Sequence, residues 1–499
     1  MAQTSEPIFE RARQPESRIA IVDSCGSYDD LLDASSSVAT ALLSGRADLN
    51  EERVAFVITP GFPWVAVQWG IWRAGGIAVP LPMGSPAAEL VYFIQDTGTS
   101  ILISDEANRE ALVQAAAECG GLQVRAYDEL LRSQPAINTP DLALERRAMI
   151  LYTSGTTSRP KGVVTTHANI TAQITSLTEA WEWSADDRIL LCLPLHHVHG
   201  IINVVSCALW SGAICEMLPR FDADAVWQRM NSGELTLFMA VPTIYFKLIA
   251  AWESYLPERR AALSRAAAKL RLMVSGSAAL PVSTLERWRE ITGHTLLERY
   301  GMTEIGMALS NPYRGERIPG SVGTPLPRVD VRLVDESGSD VPEGTPGEIE
   351  VRGPNVFSEY WQRPEATREA FRGDWFRTGD TAVVENGRYR ILGRTNIDIL
   401  KTGGHKISAL EVEEGLRQHP AIRECAVVGV PDQEWGERVC AAIVLNDGQA
   451  LDLEALRGWA KGHLAAHKVP SRLLLLEALP RNAMGKVTKP QVRTLFETE

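Results

Sequence analysis

The stretch Tyr152-Thr153-Ser154-Gly155-Thr156-Thr157-Ser158-Arg159-Pro160-Lys161-Gly162 is a hydroxyl- and glycine-rich loop set directly after an apolar run, Ala148–Tyr152. Small residues let backbone N–H groups converge on phosphate oxygens, while the hydroxyls and Lys161 add donors and positive charge. The G-x-x-x-x-G-K-[ST] order of a Walker loop is absent, and Val163–Thr165 reads as a second strand where a Walker loop would enter a helix. Phosphates are therefore expected on a turn between strands.

Working outward, apolar runs at Val54–Ile58, Ile101–Ile103, Leu235–Val241 and Leu272–Val274 alternate with helical patterns between Ser27 and Ser283, the rhythm of parallel βαβ units. From Ile318 to Gly353 the texture changes to short strands punctuated by Pro and Gly, such as Val329–Val334 and Gly347–Val351. After Gly393-Arg394 it changes again: a helix at Ala409–Arg417, strands at Cys425–Val430 and Val439–Leu445, a helix at Leu453–His463 and a strand at Leu473–Leu476. The expected class is α/β: a large body, residues 1–394, of βαβ subdomains with a β-rich subdomain, then a small mobile α+β domain, residues 395–499. Two or more domains also follow from length, since 499 residues exceed the ~250–300 at which single cores stop growing.

A net charge of -12 opposes non-specific binding to nucleic acid or anionic membrane. The stretch Val54–Pro82 is apolar but broken by Pro60, Pro63, Arg73 and Gly75-Gly76, so it is no membrane span. Seven scattered cysteines without a C-x-x-C pair point to a reducing compartment. Glu6, Glu10 and Glu16 interrupt the start, which lacks the character of a signal or transit peptide, and the cytoplasm is expected.

Three further segments carry chemistry. Glu298-Arg299-Tyr300-Gly301-Met302-Thr303-Glu304, after the strand-like Thr295–Leu297, reads as a short loop on which Glu304 can ligate a magnesium ion that bridges phosphates. Thr378-Gly379-Asp380 offers a carboxylate for ribose hydroxyls. Asn482-Ala483-Met484-Gly485-Lys486 presents a lysine suited to charge developing on an α-phosphate.

In order, the 152–162 loop, Tyr300–Glu304, Thr378-Gly379-Asp380, Gly393-Arg394, Gly403-Gly404 and Gly485-Lys486 resemble the core motifs of the adenylate-forming superfamily, which includes acyl-CoA synthetases, luciferases and peptide-synthetase adenylation domains. The resemblance covers nearly the whole chain and implies ATP, Mg2+ and coenzyme A. It puts Thr153, Ser154, Gly155, Thr156, Thr157 and Lys161 at the ATP phosphates, and Ser277, Ala278, Ala279, Glu298, Tyr300, Gly301 and Met302 around the adenine. Thr303 falls at the α-phosphate, Glu304 at the metal, and Asp380 and Arg394 at the ribose. Lys486 is the implied adenylation lysine and Gly403-Gly404 the loop beside the pantetheine arm. The small domain is expected to rotate about a hinge near Gly393–Asp398, presenting each in turn. His405 stands where the family commonly has an aromatic residue.

A narrower resemblance, to malonyl-CoA and methylmalonyl-CoA synthetases and especially to the mitochondrial malonyl-CoA synthetases, rests on Leu193–Gly200, Met239–Thr243, Val274–Pro281, Glu298–Glu304 and Asn311-Pro312. Malonate keeps a second carboxylate after the first is adenylated, so its pocket must hold a cation or dense donors. Arg299 is the first candidate, since guanidinium grips a carboxylate with two bonds; His197, Lys247 and Met307 complete the acyl-pocket set, Lys247 being equally readable as a surface lysine. Another short- or medium-chain acyl-CoA ligase, or an adenylating enzyme that delivers to a carrier protein, stays open.

Overall fold

The computed structural model describes residues 7–11, 18–22, 26–133, 139–153, 159–481 and 487–497. The two ends of the hydroxyl-rich stretch pair with each other: strand Arg147–Thr153 runs antiparallel to Lys161–Thr166, with Leu151 opposite Val163, Tyr152 opposite Gly162 and Thr153 opposite Lys161. Glycine is required at 162, because a Cβ there would lie 2.8 Å from the Ile150 side chain and 3.3 Å from Trp361. The hairpin belongs to a seven-stranded sheet, edged beyond Lys161–Thr166 by the short strand Glu359–Tyr360, whose strands Arg147–Thr153, Ile77–Pro80, Arg53–Val57, Ile101–Ser104 and Val124–Ala126 are parallel neighbours in that order.

A nine-stranded sheet carries the second half of the body. Its centre is the parallel run Leu297–Met302, Leu272–Ser275, Leu237–Ala240, Arg188–Leu191 and Ile214–Met217. The apolar residues of these strands are buried on both faces, as their largely unbroken apolar spelling requires. Leu297–Met302 also pairs antiparallel with Gly306–Ser310. Glu298, Arg299 and Tyr300 therefore lie on a strand that ends in a tight hairpin, and not on the loop their polarity suggests. The hairpin is held by a close approach, since a Cβ on Gly301 would meet the Gly306 carbonyl oxygen at 2.0 Å.

A third, antiparallel sheet contains Asp330–Val334, Gly347–Arg352, Trp375–Glu385 and Arg388–Arg394 and supplies the Pro/Gly-punctuated region. The remaining sheet belongs to the small domain, with helices Ala409–Arg417, Leu453–Ala460 and Lys489–Glu497 around it. That domain has its own apolar packing on each sheet face: Val412, Leu416, Val427 and Ile443 on one, Val428, Val444, Val492 and Phe496 on the other.

A buried ion cluster ties the segment after Arg394 to the rest of the small domain. The Lys489 ammonium pairs with Asp398 and lies 2.8 Å from Glu413, whose carboxylate also accepts from the Val427 N–H (2.8 Å). The other Asp398 oxygen accepts from the Arg394 N–H at 2.9 Å. Between the body and the small domain, the Val282 N–H at the start of helix Val282–Thr292 donates to Glu414 (3.1 Å), and Lys406 pairs with Glu336 (2.8 Å).

Candidate active site

Parallel strands Leu272–Ser275 and Leu297–Met302 end side by side, and the crevice beyond such strand ends is where open α/β sheets bind ligands. Arg299 lies there, only 3% exposed, against the backbone of Gly276; a Cβ on Gly276 would stand 2.5 Å from the guanidinium carbon. Its Nη2 donates to Ser277 Oγ at 3.3 Å, but Nε and Nη1 meet no hydrogen-bond partner among the described residues. Burial pushes its pKa down to about 9, so a cation persists at neutral pH without a carboxylate to neutralise it.

Ser277 adopts a left-handed backbone (φ 69°) and reaches His199 Nδ1 at 3.2 Å. Ser277 Oγ accepts from Arg299, and in the tautomer in which its hydroxyl donates to Nδ1 the imidazole proton sits on Nε2. Burial, then the positive Arg299 and the neighbouring His197, hold the His199 pKa well below its ordinary value, so this is a neutral ring offering one N–H. That Nε2 likewise has no partner among the described residues. Before His199, the half-buried His197 packs on His196 with ring centroids 4.0 Å apart.

At the hairpin side, the Lys161 ammonium sits 4.9 Å from the Tyr360 ring centre, and the Tyr360 hydroxyl donates to Glu304 Oε1 at 2.9 Å. Lys161, Tyr360 and Glu304 thus meet although they come from three separate parts of the chain. Glu304 Oε2 is buried and unpartnered among the described residues, and burial raises the carboxyl's pKa. An orphaned buried carboxylate oxygen, one tyrosine away from Lys161, fits a magnesium site of the kind that uses one protein carboxylate plus phosphate oxygens and waters. Among the described residues no cluster of three or more His, Cys, Asp or Glu could hold a metal alone.

A third group closes the crevice. The Tyr300 hydroxyl donates to Asp380 Oδ2 at 2.5 Å, Arg394 Nε pairs with Asp380 Oδ1 at 3.0 Å, and Arg394 Nη1 donates to the Thr378 carbonyl at 2.9 Å. Asp380 and Arg394 are direct cross-strand partners, which explains their meeting at a sequence distance. Thr303 occupies the hairpin turn and Ala278 and Ala279 are exposed, leaving a small-residue wall. Met307, 2% exposed, lies beneath Gly301, whose Cβ would touch the Met307 methyl at 2.7 Å. Glu298 is committed to bracing: it accepts from the Gly320 N–H (3.1 Å), and burial pushes its pKa up to about 8.

Other expected residues fall elsewhere. Lys247 sits on the exposed side of helix Pro242–Ser254, its ammonium 5.8 Å from the Phe221 ring centre, while Tyr245, Leu248 and Ile249 take the inward positions. Gly403 and Gly404 form the exposed tip between strands Ile399–Thr402 and His405–Ser408, both with positive φ (54° and 79°), and the Gly403 N–H donates to the Trp435 carbonyl at 2.9 Å. Ser154, Gly155, Thr156 and Thr157, and also Lys486, lie outside the described residues. Sequence reasoning misses His199 as a site residue, although the segment Leu193–Gly200 contains it, and misses Tyr360 entirely. A histidine in an apolar run and a lone tyrosine carry no spacing signal.

Residues 8–361 match the AMP-binding enzyme family and residues 411–486 match the AMP-binding enzyme C-terminal domain. The chain is 48% identical to the mitochondrial malonate–CoA ligase of Mus musculus, covering 98% of this chain and 90% of that protein. Among solved structures, ATP-bound MatB from Rhodopseudomonas palustris is 34% identical, covers 98% of this chain and 99% of that chain, and superposes with a TM-score of 0.90. The apo form of that protein, at the same identity and coverage, gives 0.81.

Proposed function

The chain belongs to the AMP-binding enzyme family, and from that premise we propose that it is an AMP-forming acid–thiol ligase joining malonate, and also methylmalonate, to coenzyme A with cleavage of ATP. One observation carries the substrate: Arg299 is a buried guanidinium with two nitrogens unsatisfied and no carboxylate partner among the described residues. Such a charge is costly alone, by several kcal/mol for an ion taken out of water. The free carboxylate of a dicarboxylic acid supplies the missing partner, and a fatty acid, which needs an uncharged tunnel, does not.

In the first step a malonate oxygen attacks the α-phosphorus of ATP, the bond to the bridging oxygen breaks, and pyrophosphate leaves. Thr153–Thr157 and Lys161 hold the phosphates and Thr303 the α-phosphate; Tyr300 with Ser277-Ala278-Ala279 frames the adenine, and Asp380 with Arg394 takes the ribose. Magnesium, held by Glu304, would offset phosphate charge. In the second step the CoA sulfur attacks the acyl carbon, AMP leaves, and the thiol proton passes to solvent. The protein supplies position and charge instead of a covalent nucleophile.

We divide the chain into residues 1–394 and 395–499, with Lys486 presented for the first step and Gly403-Gly404 for the second. The two TM-scores of the Rhodopseudomonas protein support a chain of this kind taking more than one shape. The six described cysteines form no disulfide, in keeping with a reducing compartment, and no helix among the described residues is long and apolar enough to cross a membrane. Within that class of compartment we place the protein in the cytoplasm, although its mouse relative is mitochondrial.

AMP release over acetate, malonate, methylmalonate, succinate and octanoate, with and without CoA, tests the reading. Malonate and methylmalonate should lead, since one methyl is worth only ~1–3 kcal/mol. Octanoate as the best substrate would overturn it.

A further inference from the structure

Residues His199–Ser206 form a π-helix, a wide turn that is frequent at functional sites. Its opening is fixed by Gly200, where a Cβ would lie 2.7 Å from the Pro194 carbonyl oxygen, and its widened end is satisfied internally by the Ser206 hydroxyl donating to the Ile201 carbonyl at 2.7 Å. Asn203 falls one turn beyond His199. Its side chain is fully buried (0% exposed), and neither the carboxamide nitrogen nor its oxygen has a hydrogen-bond partner among the described residues. Native proteins rarely leave a buried amide unsatisfied at both ends, because the desolvation is not recovered.

The unsatisfied atoms of Arg299, His199 and Asn203 are unbalanced. Arg299 Nε and Nη1 and Asn203 Nδ2 are donors, His199 Nε2 is a donor in the tautomer that accepts at Nδ1, and Asn203 Oδ1 is an acceptor. Water, which gives and takes equally, does not match a donor surplus; a carboxylate, which only accepts, does. His199 and Asn203, four residues apart on one helix, share a face of it, and His199 is tied to Arg299 through the Ser277 hydroxyl.

We propose that Asn203 is a specificity-determining residue, whose side-chain N–H donates to the free carboxylate of the dicarboxylic substrate next to Arg299 and His199. This rests on the malonate reading above and extends it to a residue in an otherwise apolar run, Ile201-Ile202-Asn203-Val204-Val205.

The test is Asn203→Leu, a near-isosteric change, in the full-length enzyme, with kcat/KM for malonate and for propionate and the melting temperature measured together. A hydrogen bond to a charged group corresponds to roughly a ten- to hundredfold loss for malonate. Propionate should change by less than about threefold, and Tm should hold or rise, because replacing an unsatisfied buried amide by an apolar group of like shape relieves a desolvation cost. A malonate-to-propionate ratio that stays at the wild-type value overturns the proposal, and so does an equal loss for both acids with a lowered Tm, the mark of a structural asparagine. Should the Leu variant not fold, Asn203→Asp keeps the shape and sets a carboxylate against the substrate's own: retained malonate preference in that variant overturns the proposal, and a collapsed preference supports it. Wild-type enzyme that fails to adenylate malonate at all brings down the functional reading itself, a result visible before any variant is made.

Discussion

Arg299→Leu leaves the substrate's second carboxylate buried without its cation, a loss of ~2–5 kcal/mol by analogy with truncated charge pairs. With ~1.36 kcal/mol per factor of ten, malonate kcat/KM should fall roughly 30- to several-thousandfold while propionate changes little. Equal loss for both acids would instead mean that Arg299 braces the strand leading to Thr303 and Glu304. Glu298 gives a prediction in pH. Its carboxyl is pushed from an ordinary 4.5 up to about 8, so between those values the folded chain holds a proton that the unfolded chain has released. The stabilising contribution is therefore whole below pH 4.5 and is lost as pH rises through 8. Glu298→Gln should flatten the fall of Tm across that window, measured by thermal melts at stepped pH; an unchanged slope would show that another group sets it.

At the scale of elements, the loop Gly403-Gly404 is the one whose substitution separates the half-reactions. Gly404 has φ 79°, and a Cβ on it would find no atom within 4 Å, so Gly404→Leu meets backbone strain but no clash in this pose. Adenylation, followed by pyrophosphate release, should survive, and thioester formation should drop at least about tenfold if pantetheine passes this tip. Loss of pyrophosphate release by a folded variant would assign the loop to the ATP site. Much of this architecture is legible in sequence because local spelling agrees with it: Ala409–Arg417 is helical as its periodicity predicts, and the strand pair around the hydroxyl-rich loop follows from two apolar runs with a turn between. The Glu298–Tyr300 strand is not legible, since its polar side chains are met by tertiary partners, Gly320, Ser277 and Asp380, that alternation does not encode. Asp380 meeting Tyr300 is a tertiary fact, and the π-helix has no signature in composition. Motif order points to the proposed phosphate and ribose residues, whereas Tyr360 and Asn203 emerge only from the folded arrangement.

For the whole molecule, the proposed two poses of the small domain would make Lys486→Ala a selective lesion. Acyl-AMP formation should fall by the ~10²–10³-fold typical of losing one transition-state donor, and CoA transfer from supplied acyl-AMP should stay nearly intact. Equal damage to both steps would defeat the alternation. The Lys489, Asp398 and Glu413 cluster then has a consequence for anyone recombining such enzymes. Through Lys489, Asp398 is chained both to the final helix and to Glu413 on helix Ala409–Arg417. A graft that takes the small domain from one parent and the preceding strand from another should be cut before Asp398, between Arg394 and Ile397. A crossover placed downstream of it would take position 398 from one parent and Lys489 from the other, so a parent lacking the carboxylate would leave the buried ammonium with Glu413 and without Asp398.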